Sequence, residues 1–321
     1  MKAKNKVALF IADELNPSFK KSFDVSQFKI LNLTNLTNQE LLSRLHSITE
    51  DKIVLIIRTI RNIDGKFISN APNNLKLICT ASSGYNNIDC FTARKCNIDA
   101  MNVPDASYIS AAEHAWSMML SVSKNLFGAD TLMKKKVFDF SGFSNTELHG
   151  KTIGIIGVGK VGSHVAKIAK AFGMKVLGND INTELKTKYR WIKFVSLNNL
   201  LKQSDVISVH TPLDDSTRNL LHKNNLSLIK PNSLIINCAR GEIIDERDLI
   251  SLLKSNKNLF ACLDVFENEP DFNKEFTKLN NVLLTPHLAG KTIQSKERFS
   301  FKLAKQIKDY IKKNDRSKLV N

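Results

Sequence analysis

The sequence predicts two parallel-sheet α/β domains, on three observations. Apolar runs alternate with helical patterns from residue 5 to about 103. A second series of apolar runs follows a long helical stretch at 107–126. A glycine-rich turn joins an apolar run to a helix at 153–165. Alternation of strand and helix is the pattern of a parallel sheet covered by helices. The chain's 321 residues suffice for two domains of ordinary size, and 42% hydrophobic with 24% charged residues is a globular composition.

Taken in order, residues 7–12 are apolar behind Lys2, Lys4 and Lys6 but meet Asp13 and Glu14 without a small-residue cleavage site, so they read as a first buried strand and not a secretion signal. Residues 38–46 have helical spacing, and 53–57 and 75–79 are strand-like. The stretch 107–126, with Ala111, Ala112, Ala115, Met118, Met119 and Leu120, reads as one helix leading from the first domain to the second. After it come strand 151–156, helix 161–172 and strands at 175–179, 206–209, 233–237, 260–265 and 282–284. The tail 291–321 holds ten basic against three acidic residues, +7 of the net +16. It places Leu303, Ile307, Tyr310 and Ile311 on one helical face and Lys305, Lys308 and Lys312 on the other, as in a packed helix with a solvated basic side. No aromatic-basic interleaving accompanies the charge, so a nucleic-acid partner is not expected. Without repeats or a low-complexity linker, two units joined by helices imply a cleft that opens and closes.

No apolar stretch approaches the roughly 18 residues of a membrane span, and a cytoplasmic location is expected. Five cysteines (Cys79, Cys90, Cys96, Cys238, Cys262) form no CxxC and are odd in number, so neither a metal site nor a disulfide framework is expected.

The turn at 157–162 reads Gly157-Val158-Gly159-Lys160-Val161-Gly162, a dinucleotide-binding fingerprint in its expected context. Gly157 permits the tight turn, Gly159 lets backbone approach a pyrophosphate, and Gly162 lets the helix pack on its strand. Lys160 closes the turn and Val161 opens that helix, whose N-terminal N–H groups and dipole favour an anion. Asp180 ends the next strand, eighteen residues after Gly162. A carboxylate there accepts both ribose hydroxyls of NAD and repels the 2′-phosphate of NADP, so NAD is the expected cofactor. A simple strand-end turn is the alternative for Asp180.

Ligands of open α/β sheets bind beyond the carboxyl ends of the strands. Three polar residues follow apolar runs in this way: Arg240, Glu269 and His287. A histidine is the side chain best suited to exchange a proton near neutral pH beside a bound cofactor. A neighbouring carboxylate fixes the histidine's tautomer, and an arginine fork fits a carboxylate as lysine cannot. Singly, each has a structural alternative as a surface ion-pair, turn or core residue.

The segments 147–157, 210–213, 237–241, 263–270 and 285–290 resemble, in order and spacing, the D-isomer-specific 2-hydroxyacid dehydrogenases over nearly the whole chain. The resemblance implies two doubly wound parallel-sheet (Rossmann/flavodoxin-like) domains: a substrate domain of residues 1–103 and 289–321, and an NAD domain of 104–288. It implies a homodimer formed largely through the NAD domains. In the resemblance Arg240 grips the substrate's carboxylate and 2-oxygen, His287 exchanges the proton and Glu269 pairs with His287. Asp264 matches a position that contacts the nicotinamide amide. His210, Thr211 and Pro212 match the segment beside the adenosine, and Cys238 and Ala239 precede the arginine at the cofactor.

Residues 80–89 resemble the family loop whose backbone N–H groups hold the substrate carboxylate, around Ser82, Ser83 and Gly84; small residues permit such an anion nest. Asn86 stands where Asp is usual, and Asp105-Ala106-Ser107 replaces a common Gly-x-Asn pattern. Arg58 and Arg61 resemble the basic pair of phosphoglycerate dehydrogenases, with a solvated basic turn as the alternative. The expected reaction is 3-phosphoglycerate oxidation, the entry to serine synthesis, ahead of hydroxypyruvate or glyoxylate reduction. An NAD-binding corepressor is the alternative of another class.

Overall fold

Strands buried on both faces are built from unbroken apolar runs, and the central strands here are of that kind. The computed structural model describes residues 7–321, so Lys2, Lys4 and Lys6 lie outside the described residues. The chain divides into two units, Met1–Ser107 with Lys291–Asn321, and Tyr108–Gly290.

In the first unit, β1 (Val7–Ile11), β2 (Phe28–Asn32), β3 (Lys52–Ile57), β4 (Leu75–Thr80) and β5 (Asp99–Met101) form one sheet in the order β2-β1-β3-β4-β5. Every neighbouring pair is parallel. This is the doubly wound flavodoxin-like order, with its switch point between β1 and β3. The tail helix Ile293–Lys313 buries Leu303, Ala304 and Ile307 against β1, β3 and β4, with Tyr310 and Ile311 at the margin of the same cluster.

In the second unit, β6 (Thr152–Ile156), β7 (Lys175–Asn179), β8 (Lys193–Phe194), β9 (Val206–Val209), β10 (Leu234–Asn237), β11 (Phe260–Leu263) and β12 (Val282–Leu284) run in the order β12-β11-β10-β9-β6-β7-β8. All are parallel. The order reverses between β6 and β9, which puts the Rossmann switch point at the carboxyl end of β6, where the glycine turn begins. One face is covered by the helices Tyr108–Ser123 and Lys160–Ala171, whose Ala112, Ala115, Ala166 and Ala169 share a buried cluster. Leu200, Leu249, Ile250 and Leu253 belong to a second cluster.

Three strands escape the sequence reading: β2, β5 and β8, all at sheet edges. Of β2 only Phe28 is buried, and β8 has two residues, so neither carries the long apolar run of a central strand. The helix expected over 107–126 ends at Ser123. The backbone turns at Asn125 (φ 49°) and a second helix, Leu126–Lys134, buries none of its side chains. A helix without a buried stripe has little periodic signal. All five cysteines are free, Cys79 and Cys262 being buried. Among the described residues no helix is long and apolar enough to cross a membrane.

Candidate active site

The site in the second unit starts at the carboxyl end of β6. Gly157 has φ 86°, a left-handed conformation that glycine adopts without strain, and a Cβ there would lie 2.7 Å from the His210–Thr211 backbone. Gly162 faces the Gly157 carbonyl so closely that a Cβ would sit 2.0 Å from its oxygen. Gly159 meets nothing within 4 Å in its Cβ direction, so the turn opens outward there. Gly159 also caps the helix Lys160–Ala171 without a side-chain hydrogen bond. Val161 is half-buried in the first turn and Lys160 exposed.

Asp180 braces this turn: Oδ2 accepts the Val158 N–H at 2.7 Å and Oδ1 accepts the Asn182 N–H at 2.8 Å. No cation pairs with it among the described residues, and each oxygen keeps acceptor capacity. At the end of β9, burial pushes His210 down to about 3, so its ring is neutral, with Nε2 2.7 Å from Ser208 Oγ. Thr211 Oγ1 is buried without a partner among the described residues, and the Pro212 carbonyl accepts the Thr217 hydroxyl at 2.7 Å. Burial raises the half-buried Cys238 thiol well above its ordinary value, so it is protonated at neutral pH.

Asn237 folds the turn after β10. Its amide donates to the Arg240 carbonyl at 2.8 Å while its Oδ1 accepts the Ala239 N–H at 3.0 Å. Gly241 then packs on the Phe266–Glu267 backbone, where a Cβ would come within 2.0 Å of Phe266 C. This close approach sets Arg240 beside the chain that carries Glu269. Arg240 donates to the Ala239 carbonyl at 2.6 Å and pairs with no carboxylate among the described residues, leaving most of its fork unspent. Burial lowers its pKa, against the opposing charges of Glu269 and Glu242.

Glu269 Oε2 and His287 Nδ1 lie 2.6 Å apart, and Glu269 Oε1 accepts the Phe266 N–H at 3.0 Å. Burial pushes the Glu269 carboxyl up, but the His287 hydrogen bond and charge, the Phe266 N–H and Arg240 outweigh it and hold it below the usual glutamate range. With Nδ1 engaged, His287 presents Nε2 as its free nitrogen, and the side chain is 45% exposed. Asp264, expected at the nicotinamide, has no exposed surface. Its carboxylate accepts the Thr285 hydroxyl at 2.6 Å and the N–H groups of Leu288 and Ala289 at 2.7 and 2.9 Å. Its task in this structure is to hold the turn that carries His287.

In the first unit, no hydrogen bond among the described residues uses the N–H groups of Ser82, Ser83 or Gly84. The side chains shape the loop instead: Ser82 Oγ donates to the Gly84 carbonyl at 2.6 Å, and Asn102 donates to the Ser83 carbonyl at 2.6 Å. The basic pair at the end of β3 separates. Arg61 is a correction to the sequence reading, because its guanidinium is spent internally. It pairs with Asp13 at 3.0 Å and donates to Asn38 Oδ1 at 3.0 Å and the Ala12 carbonyl at 3.3 Å. With side chains 10% and 5% exposed, the Arg61–Asp13 pair is an internal brace of β1 and β3. The Arg58 N–H joins it, donating to Asp13 Oδ2 at 2.8 Å, while the Arg58 guanidinium has no partner among the described residues.

Residues 116–289 match the family model described as D-isomer specific 2-hydroxyacid dehydrogenase, NAD binding domain. The chain belongs to this family. It is 37% identical over 290 residues to a D-3-phosphoglycerate dehydrogenase of Methanocaldococcus jannaschii, covering 90% of this chain and 54% of that one. It therefore spans about half the length of that relative. A hydroxypyruvate reductase of Thermotoga maritima is 36% identical over 260 residues, 79% of this chain and 83% of that one. The structure of a D-lactate dehydrogenase from Aquifex aeolicus, complexed with NAD and lactic acid, superimposes with a TM-score of 0.81 at 30% identity, over 98% of each chain.

The residues of this 2-hydroxyacid dehydrogenase family member fit NAD. The outward opening at Gly159, the uncapped helix start, the unopposed Asp180 carboxylate and the orphaned Thr211 hydroxyl form a cradle of donors and acceptors at the switch point. Sequence reading missed two residues here. Asn237 shapes the Arg240 turn, and His114, on the helix Tyr108–Ser123, reaches Asp264 and Thr285. A polar residue inside an otherwise apolar strand was the available signal for Asn237.

Proposed function

We propose that this chain catalyses the NAD-dependent interconversion of a 2-hydroxy acid and its 2-oxo acid. The single observation that carries this reading is the His287–Glu269 pair, 2.6 Å apart, beside an arginine whose fork meets no carboxylate among the described residues. Bound NAD supplies the hydride acceptor for C2. His287 Nε2 takes the hydroxyl proton, and the negative Glu269 steadies the charge the ring gains. Arg240 offers paired N–H donors to the substrate's carboxylate and 2-oxygen. The second unit is read as the NAD domain and the first as the substrate domain, with the free N–H groups of Ser82, Ser83 and Gly84 as a carboxylate nest.

3-Phosphoglycerate is the proposed substrate and serine synthesis the proposed pathway, with Arg58 as the free cation for the phosphate. Hydroxypyruvate or glyoxylate reduction is the second reading, and the burial of Arg61 with Asp13 favours it, since one of two expected phosphate ligands is occupied. A homodimer through the second unit is part of the proposal. Leu126, Phe127, Met133, Phe138 and Phe140 are each more than half exposed and clustered in sequence, an apolar surface suited to a second copy. Five free cysteines suit a reducing cytoplasm. The test is a panel of 2-hydroxy and 2-oxo acids with NAD or NADH, read at the nicotinamide absorbance. Turnover of none would refute the reaction, and preference for hydroxypyruvate over 3-phosphoglycerate would select the second reading.

A further inference from the structure

We propose that His114 is a positioning residue for His287, acting through the enclosed carboxylate of Asp264. The proposal rests on the reading of His287 as the acid–base group. His114 Nε2 lies 3.1 Å from Thr285 Oγ1 and 3.3 Å from Asp264 Oδ1. The Thr285 hydroxyl already donates its proton to Asp264 at 2.6 Å, so the shared hydrogen of the His114 contact is the imidazole N–H, directed at both oxygens.

Residue 264 grips three consecutive N–H groups of the turn that carries the base. Its carbonyl accepts from His287 at 2.8 Å, Oδ1 from Leu288 at 2.7 Å and Oδ2 from Ala289 at 2.9 Å. The grip matters because His287 has φ 53°. A non-glycine residue holds a left-handed conformation only where its surroundings over-determine it. A carboxylate with no exposed surface in turn needs every donor it has. Burial pushes the Asp264 carboxyl up, and the donors from His114, Thr285, Leu288 and Ala289 more than offset it, leaving it below the ordinary aspartate range. His114 is the one of those donors that lies outside residues 285–289, anchoring the turn to the helix Tyr108–Ser123. An apolar residue at 114 would fill space but supply no N–H.

The test compares His114→Leu with His114→Gln in the full chain, because glutamine keeps a side-chain N–H of similar reach. Amide hydrogen exchange at Leu288 and Ala289 reports the clamp without cofactor or turnover. In His114→Leu we expect exchange at these amides to accelerate about tenfold and kcat to fall about tenfold, with the worth of one hydrogen bond to a charged group setting the scale. The primary deuterium isotope effect of a 2-deuterated substrate should rise while NAD affinity stays near wild type, and global stability should fall by no more than the worth of that one hydrogen bond. His114→Gln should restore most of both losses. Should His114→Leu fail to fold, His114→Asn, one methylene short, takes its place with the same expectation. Normal exchange in the apolar variant, or equal impairment of leucine and glutamine variants, would overturn the proposal. A wild-type protein that turns over no 2-hydroxy acid would refute the reading of His287, and exchange at Leu288 and Ala289 would still decide the clamp.

Discussion

Replacing Asp180 tests the cofactor reading most directly, because the two duties of its carboxylate can be separated. It braces the glycine turn through Val158 at 2.7 Å, and its remaining lone pairs are directed at the ribose in the proposed complex. Asp180→Asn keeps an oxygen for the brace but removes the charge. Hydrogen bonds to charged acceptors are worth about 1.5–3 kcal/mol against about 0.5–1.5 for neutral ones, so two ribose hydroxyls lose about 2 kcal/mol together, or roughly 30-fold in NAD affinity. For NADP the same change removes a repulsion of about 4 kcal/mol per charge pair at 4 Å and an effective dielectric of 20, screened at this half-exposed site to about 1–2 kcal/mol. The NAD-to-NADP affinity ratio should therefore narrow by roughly 10²–10³. Asp180→Ala should weaken NAD further, since the Val158 N–H then loses its acceptor. Calorimetric titration of wild type and both variants with NADH and NADPH measures this. An unchanged ratio in both variants, with normal thermal unfolding, would make Asp180 a brace alone and refute the reasoning.

His287→Ala should lower kcat by roughly 10²–10⁴ with NAD affinity unchanged, and near-normal turnover would remove it from the chemistry. Arg240→Lys should likewise lose most kcat/KM, because an ammonium keeps charge but not the fork; steady-state kinetics on the best substrate decides. Arg61→Ala strands Asp13, 5% exposed, and should cost about 3 kcal/mol in urea unfolding, whereas Arg58→Ala should change stability by less than about 0.5 kcal/mol. His210 is held neutral in the fold with a pKa of about 3, below its ordinary 6.5, so the unfolded chain binds the proton first on acidification. Its contribution to stability is complete above pH 6.5 and is lost as pH falls toward 3, by up to about 2 kcal/mol at pH 5. His210→Asn should remove that share of the pH dependence of the urea midpoint, and identical slopes in both proteins would contradict it.

The central strands and the glycine turn were legible because their causes are local. A strand buried on both faces is a continuous apolar run, and a backbone turn that tolerates no Cβ demands glycine where it occurs, as at Gly157 and Gly162. Arg240, Glu269 and His287 were legible for the same reason, as polar residues just past apolar runs. Edge strands such as β2 and β8 were not, since an edge needs little apolar sequence. What only the tertiary structure decided is which partner each polar side chain meets. Arg58 and Arg61 look alike in sequence, yet one guanidinium is free and the other is committed to Asp13, 48 residues away in the chain. Asp264 looked like a ligand-facing strand end, yet it is enclosed and holds the turn of His287, with His114 arriving from a helix 150 residues earlier. Hydrogen bonds and ion pairs act over about 3 Å in space whatever the separation along the chain, and a single sequence records the separation but not the space.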